Sequence, residues 1–209
     1  MAVMDNGHVI RDVAALEAIY GTPMRAAVAK EVNYLHPHYC AFIEQAPFVA
    51  LATSGQGGLD VTPRGDPAGF VEIADTRTLL LPDRRGNNRI DSLRNLVEDP
   101  RIALLFLIPG IGETLRVNGT ADISVDPALL ERFVMQDKLP RSVLVVHVAS
   151  VYFQCSKAIM RSELWNPDKR LPRTALPSTG TILADVSREE GFGEAYDRIA
   201  PARLQETMY

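Results

Sequence analysis

Arg84, Arg85 and Arg89 stand within six residues of one another, interleaved with Gly86, Asn87 and Asn88. That composition does one kind of chemistry well: it binds an anion. Guanidinium forks give bidentate, charge-assisted bonds to phosphate or carboxylate oxygens, and free amides at a helix start add donors without added charge. The surroundings suit that use. Thr78 to Leu81 is a short apolar, strand-like run closed by Pro82 and Asp83, and the basic turn follows. From Arg89 the periodicity becomes helical, with Ile90, Leu93, Leu96 and Val97 as the apolar set, Asn87 or Asn88 as N-cap, and Pro100 beyond the end near Glu98. A solvated turn with surface arginines has the same local pattern, so the order of the surrounding elements has to decide.

Those elements are mostly strands. Phe48 to Ser54, Leu59 to Pro63, Phe70 to Ala74 and Thr78 to Pro82 alternate or run apolar between Gly-rich and Pro-rich turns. Arg101 to Ile108 is nearly continuously apolar, which predicts burial on both faces, inside a barrel or against a partner subunit. Thr114 to Ser124 alternates as one long strand with a bulge expected at Gly119, and Val143 to Cys155 is rich in Val and aromatics. Seven strands in antiparallel order, with helices after the fourth and sixth, predict an α+β chain, mainly β, folded as a closed or partly split barrel.

Helices are expected at Asp12 to Tyr20, from Thr22-Pro23 to about Val32, at Pro37 to Ala46 with Tyr39, Phe42 and Ile43 facing the barrel, and at Asp126 to about Gln136 with Leu129, Leu130 and Phe133 inward. Beyond Cys155 the chain turns polar and basic around Trp165, then continues as an extended arm with a closing helix from Glu194 interrupted at Pro201. The expected organisation is a helical extension over residues 1–36, a barrel domain over 37–167, and an arm and helix over 168–209.

Composition excludes several classes. Lys and Arg total 22 against 26 Asp and Glu, a net charge of −4, so general polyanion or nucleic-acid binding is disfavoured. Apolar runs are too short to span a bilayer and the first residues lack a signal-peptide pattern, so a cytoplasmic protein with no membrane contact is expected. Cys40 and Cys155, far apart in apolar contexts, read as reduced thiols buried in the core. His36 and His38 flank Pro37 with no further ligand at metal spacing, so no metal site is expected. His147, within the last strand, reads as a hydrogen-bonded core or interface histidine.

Taken together, DVTPRGD, LLLPDRRGNNRIDSLRNL, DPRIALLFLIPG, LRVNGTADI and KAIMRSELW resemble the FMN-binding split β-barrel proteins of the pyridoxamine 5′-phosphate oxidase type, over about Phe42 to Pro167. The resemblance implies FMN as cofactor and a homodimer with flavin sites shared between chains. It implies that Thr62, Pro63 and Arg64 line the flavin, with Arg64 near the ribityl phosphate. Leu81, Pro82 and Asp83 flank the ring system through backbone groups, Asn88 and Arg89 complete phosphate binding, and Lys157, Arg161 and Trp165 reach the partner's flavin. In place of the oxidases' Ser-Arg-Lys corner the chain has Gly86-Asn87-Asn88-Arg89, and their Arg-Leu-Glu-Pro-like substrate motif is missing. The implied function is an FMN-dependent oxidoreductase moving hydride to or from a small organic substrate. A flavin-binding sensor or reservoir without turnover, and a deazaflavin-dependent reductase, are the alternatives. The sequence names no substrate and no catalytic residue.

Overall fold

The computed structural model describes residues 8–187, 189 and 191–209. The chain divides into two units, one ending at Glu31 and one spanning Val32–Tyr209. In the first, α1 (Val13–Tyr20) starts where the Asp12 carboxylate accepts the Ala15 amide at 2.8 Å and stops at Gly21, whose φ of 69° few other residues adopt. The second helix, α2 (Arg25–Ala29), is shorter than expected. Val32, expected to end it, belongs instead to the second unit, where it exchanges backbone hydrogen bonds with Val151.

The second unit carries α3 (Pro37–Gln45), β1 (Phe48–Gly55), β2 (Gly58–Gly65), β3 (Glu72–Asp75), β4 (Thr78–Asp83), α4 (Asp91–Glu98), β5 (Arg101–Leu107), β6 (Thr114–Ser124), α5 (Pro127–Glu131), β7 (Ser142–Gln154), α6 (Lys157–Ser162), α7 (Thr179–Ser187) and α8 (Glu194–Glu206). All seven strands pair antiparallel in the order β2-β1-β5-β6-β7-β4-β3, so the sheet ends at β2 and β3. No ladder joins these ends, and the barrel is split.

Its inner face is the core. Val49, Leu51, Leu79, Leu81, Leu104, Phe106, Leu115, Val117, Leu144 and Val151 are buried together, and Ile43 of α3 closes one end with Tyr39 and Phe42 beside it. Each such side chain contributes about 1.5–3 kcal/mol of transfer free energy. In strand β5, Ile102, Leu104 and Phe106 are buried, and Ala103, Leu105 and Leu107 on the other face are half-buried within this one chain.

The long strands β6 and β7 shift register between Asn118 and Gly119, where Asn118 pairs Ser150 but Gly119 pairs Val148, leaving Ala149 as the extra residue. Gly119 is required there, since a Cβ would lie 1.9 Å from the His147 carbonyl oxygen. His147 itself is exposed, not in the core, and its Nε2 meets Asp122 at 2.9 Å. Cys155 is likewise exposed, while Cys40 is half-buried and both are free thiols, so only one of the two thiols approaches the predicted burial. The α5 helix stops at Glu131, five residues early, and Gln136 and Asp137 take positive φ values of 50° and 59°. Leu129 and Leu130 still pack with buried Phe133 in a satellite cluster. Helix α7 replaces part of the predicted arm, α6 forms ahead of it, and α8 runs through Pro201 without a break. No helix among the described residues is long and apolar enough to cross a membrane.

Candidate functional site

The seam left by the split barrel is where polar side chains converge. Arg64, near the end of β2, donates through Nη1 to the Asp83 carboxylate at the end of β4. Arg84 Nε donates to Asp66 Oδ2 at 2.8 Å, and its Nη1 donates to the Phe133 carbonyl. These contacts join the β2 end of the sheet to the β4 side without a ladder. From α4, Ser92 Oγ donates to Asp60 Oδ2 of β2 at 2.6 Å, and Asn95 Nδ2 donates to Thr53 Oγ1 at 3.2 Å. Ser92 and Asn95 are buried, with Leu96 beside them, so the docked face of α4 is half polar. The apolar face expected from periodicity is incomplete there: Val97 is 79% exposed and Ile90 46%.

The corner before α4 also differs from its expected cap. The helix begins at Asp91, and Ile90 occupies the cap position with φ 52° and no side-chain cap bond. Asn87 accepts the Arg89 amide at 3.1 Å, and Asn88 turns the chain at φ 60°. Two left-handed residues therefore bracket Arg89, a conformation costly for a β-branched side chain such as Ile90. Asp91 in the first turn answers the positive end of the helix and also pairs with Arg89.

Over the seam lies a cleft of about 820 Å³. Thr62, Pro63, Arg64, Pro82, Asp83, Asn88 and Arg89 line it, which gathers seven of the predicted residues from two separated strands and the corner. Leu81 does not line it; its side chain is 1% exposed and belongs to the core. Lys157 and Arg161, exposed on α6, and Trp165, whose Nε1 donates to the Ile111 carbonyl at 2.8 Å, are not on the cleft of their own chain. Among the wall residues that sequence reasoning missed are Asp66, Arg141 and Tyr209. Arg141 just precedes β7 and its amide donates to the Asp83 carbonyl at 2.9 Å, a long-range neighbourhood with no local signal.

The charges of the cleft decide what it can do. Five arginines and four aspartates line it. Asp66, Asp83 and Asp91 are each paired with an arginine and Asp60 accepts from Ser92, while Arg85 and Arg141 have no carboxylate partner among the described residues. Arg64 Nε is buried without a hydrogen-bond partner. A buried N–H left unmade costs about 1–3 kcal/mol. The lining holds no histidine, cysteine or lysine.

Comparison with known proteins places this geometry. No curated protein matches the chain. Among solved structures, a Group A Streptococcus HupZ is 18% identical over 56% of this chain and 90% of its own, with a TM-score of 0.45. An FMN-binding protein from Syntrophomonas wolfei is 15% identical over 55% and 86%, with a TM-score of 0.41. General Stress Protein 26 from Bacillus anthracis is 17% identical over 55% and 88%, with a TM-score of 0.38. The family model for pyridoxamine 5′-phosphate oxidase matches residues 35–155, more than half of the chain and every strand of the split barrel. The chain belongs to the pyridoxamine 5′-phosphate oxidase family.

Proposed function

We propose that the chain binds FMN in the seam cleft, with its phosphate toward Arg64, and works as an FMN-dependent oxidoreductase on a small organic substrate. The observation that carries this is the buried, unpartnered Nε of Arg64 in a cleft with a surplus of arginine. That group, together with Arg85 and Arg141, which have no carboxylate partner among the described residues, fits a terminal phosphate, and a cleft of about 820 Å³ lies in the range of cofactor pockets. FMN, when bound, supplies the hydride chemistry that this wall lacks. The chain's own residues then bind and orient: Arg64 holds the anionic end, Pro82 and Asp83 present β4 to the ring system, and Asn88 and Arg89 close the corner.

A homodimer is part of the same reading. The outer face of the sheet sets half-buried Ala50, Ala52, Ala103 and Leu105 in register beside Val61, 68% exposed, and Leu59 follows along β2 at 88%. A second copy laid on this face would bury it, and Lys157, Arg161 and Trp165, which do not reach the cleft of their own chain, would be available to the partner's.

Purification followed by heat release and chromatography tests the reading: FMN is expected in the extract, or full quenching of added FMN fluorescence with a raised melting temperature. The absence of both flavin and a melting shift would refute it. Bleaching of the bound flavin by a reduced nicotinamide cofactor supports turnover; a flavin that stays oxidised with every donor supports the flavin-binding module instead, a reading favoured by the lack of histidine, cysteine and lysine on the wall. Sedimentation decides the dimer, and a monomeric holoprotein with full FMN occupancy would overturn the shared site.

A further inference from the structure

The tail that follows α8 returns to the seam. Tyr209 Oη donates to Asp66 Oδ1 at 2.8 Å, and the same carboxylate takes Arg84 Nε on its other oxygen at 2.8 Å. The Arg84 guanidinium carbon stands 5.6 Å from the centre of the Tyr209 ring. Asp66 keeps only 1% of its side chain exposed, so these two partners satisfy a charge that solvent does not reach. Met208 and Tyr209 line the cleft together with the corner residues, and a volume of about 820 Å³ stays open with both in place. The ring is thus a wall and not a plug.

We propose that Tyr209 is a lid residue of the cleft, latched on the Asp66–Arg84 pair, and that a ligand enters and leaves when this latch opens. The proposal rests on the reading of the cleft as a flavin site only for its choice of ligand; the latch itself stands on the contacts among Tyr209, Asp66 and Arg84. Two features make the latch able to work. Its anchor lies in the fold's own seam, so it is positioned whether or not a ligand is present. Its moving part ends a segment in which Leu204 and Met208 are 62% and 55% exposed, so release uncovers little apolar surface. The phenol is held above the usual tyrosine range, first by its hydrogen bond to the Asp66 carboxylate and then by burial and the charge of that carboxylate, with Arg84 acting the other way. A tyrosine raised in the folded state stabilises the latch below the unfolded tyrosine range, and that contribution is lost as pH rises through the raised value.

Two measurements on the full chain test this. The first uses no flavin: the alkaline ultraviolet difference titration of wild type minus Tyr209→Phe isolates this one phenol, whose ionisation is expected above that of free tyrosine. In Asp66→Asn minus Asp66→Asn/Tyr209→Phe it should return toward the free value. A phenol that titrates as free tyrosine in the wild type refutes the latch whatever the cleft binds. The second is stopped-flow quenching of FMN fluorescence. Tyr209→Phe should raise both the association and the dissociation rate constants by about tenfold, the weight of a hydrogen bond to a charged group, with little change in their ratio. Tyr209→Ala should match or exceed it. Faster association alone would make the tail a competing plug, faster dissociation alone would make Tyr209 a plain ligand contact, and unchanged rates would make it a bystander; each overturns the lid. If FMN fails to bind at all, the flavin reading falls while the phenol titration still decides the latch.

Discussion

Arg64 does two jobs that one substitution series can separate. Its Nη1 neutralises Asp83, a residue 8% exposed, and its Nε is buried without a partner. In Arg64→Ala, Asp83 is left in the seam without its counter-charge. Breaking a fully buried pair costs about 3–5 kcal/mol, but the Arg64 side chain is 21% exposed and solvent screens part of that, so about 2 kcal/mol is expected. At roughly 2–4 °C per kcal/mol for a chain of this size, melting should fall by about 4–8 °C. Arg64→Lys keeps the charge beside Asp83 but removes Nε and the planar fork, so its melting loss should stay under about half of that. FMN affinity separates from stability. Both variants should lose the bond that Nε makes to the phosphate, about 1.5–3 kcal/mol or roughly 10- to 150-fold in Kd, while riboflavin, which lacks the phosphate, is unaffected. Arg89 is the contrast. Sequence alone expects it to match Arg64, yet its side chain is 79% exposed and tied to Asp91, so Arg89→Ala should cost only about 0–1 kcal/mol of FMN binding. Thermal melting and fluorescence titration with both flavins read all of this. Equal losses for FMN and riboflavin, or a larger effect at Arg89 than at Arg64, would refute the reasoning.

Other perturbations probe the elements that position the cleft. Gly119→Ala sets a methyl group 1.9 Å from the His147 carbonyl oxygen, with no side-chain torsion to relieve it, so about 3 kcal/mol or more of stability should be lost in urea unfolding; a loss under 1 kcal/mol would mean the β6–β7 bulge is not as close as described. Ser92→Ala removes the 2.6 Å bond to Asp60 that ties α4 to β2 and should cost about 1.5 kcal/mol of stability, weakening FMN and riboflavin alike because the whole corner shifts. Loss of FMN binding alone would instead put Ser92 in contact with the phosphate.

The barrel was legible because its strands obey local rules. Alternation in Thr114–Ser124, the apolar run at Thr78–Leu81 and glycine-rich turns between them are written in neighbouring residues, and Gly119 stood out as a glycine inside a strand. The cleft was legible in part: chain-local chemistry named the 84–89 corner, the family resemblance named Arg64, and both line the cleft. What stayed hidden is of two kinds. The cap at α4 depends on backbone angles at Asn88 and Ile90 that side-chain preference does not predict; asparagine is the usual cap, but here Asn87 spends its oxygen on the Arg89 amide. Arg141 and Tyr209 reach the site only through folding, Tyr209 meeting Asp66 across 143 positions, and nothing in the tail's composition marks Tyr209 as a cleft residue. His147 illustrates the same limit from the other side: an apolar neighbourhood in sequence fixes that a strand forms, but the pleat decides which residues face out.

The seam explains why the cleft sits where it does. A seven-stranded sheet whose end strands do not pair leaves backbone groups and a gap at β2 and β4, and Pro82 lies in β4 beyond the reach of β3, where a missing N–H breaks no bond with that neighbour. Side chains fill the gap, and ion pairs fill it because carboxylates on one edge face arginines from the other. Each of these arginines has more donors than the seam uses: Arg64 commits Nη1 and leaves Nε, and Arg84 commits Nε and Nη1 to two different acceptors. An anion entering the cleft therefore adds bonds to guanidinium groups already fixed by Asp83 and Asp66 and need not break either pair. Fixing the donors beforehand lowers the ordering cost of binding. The same economy predicts which substitutions are silent: neutralising Asp91 frees an exposed Arg89 and changes little, whereas neutralising Asp83 releases Arg64 from the seam and removes the geometry in which its Nε is held.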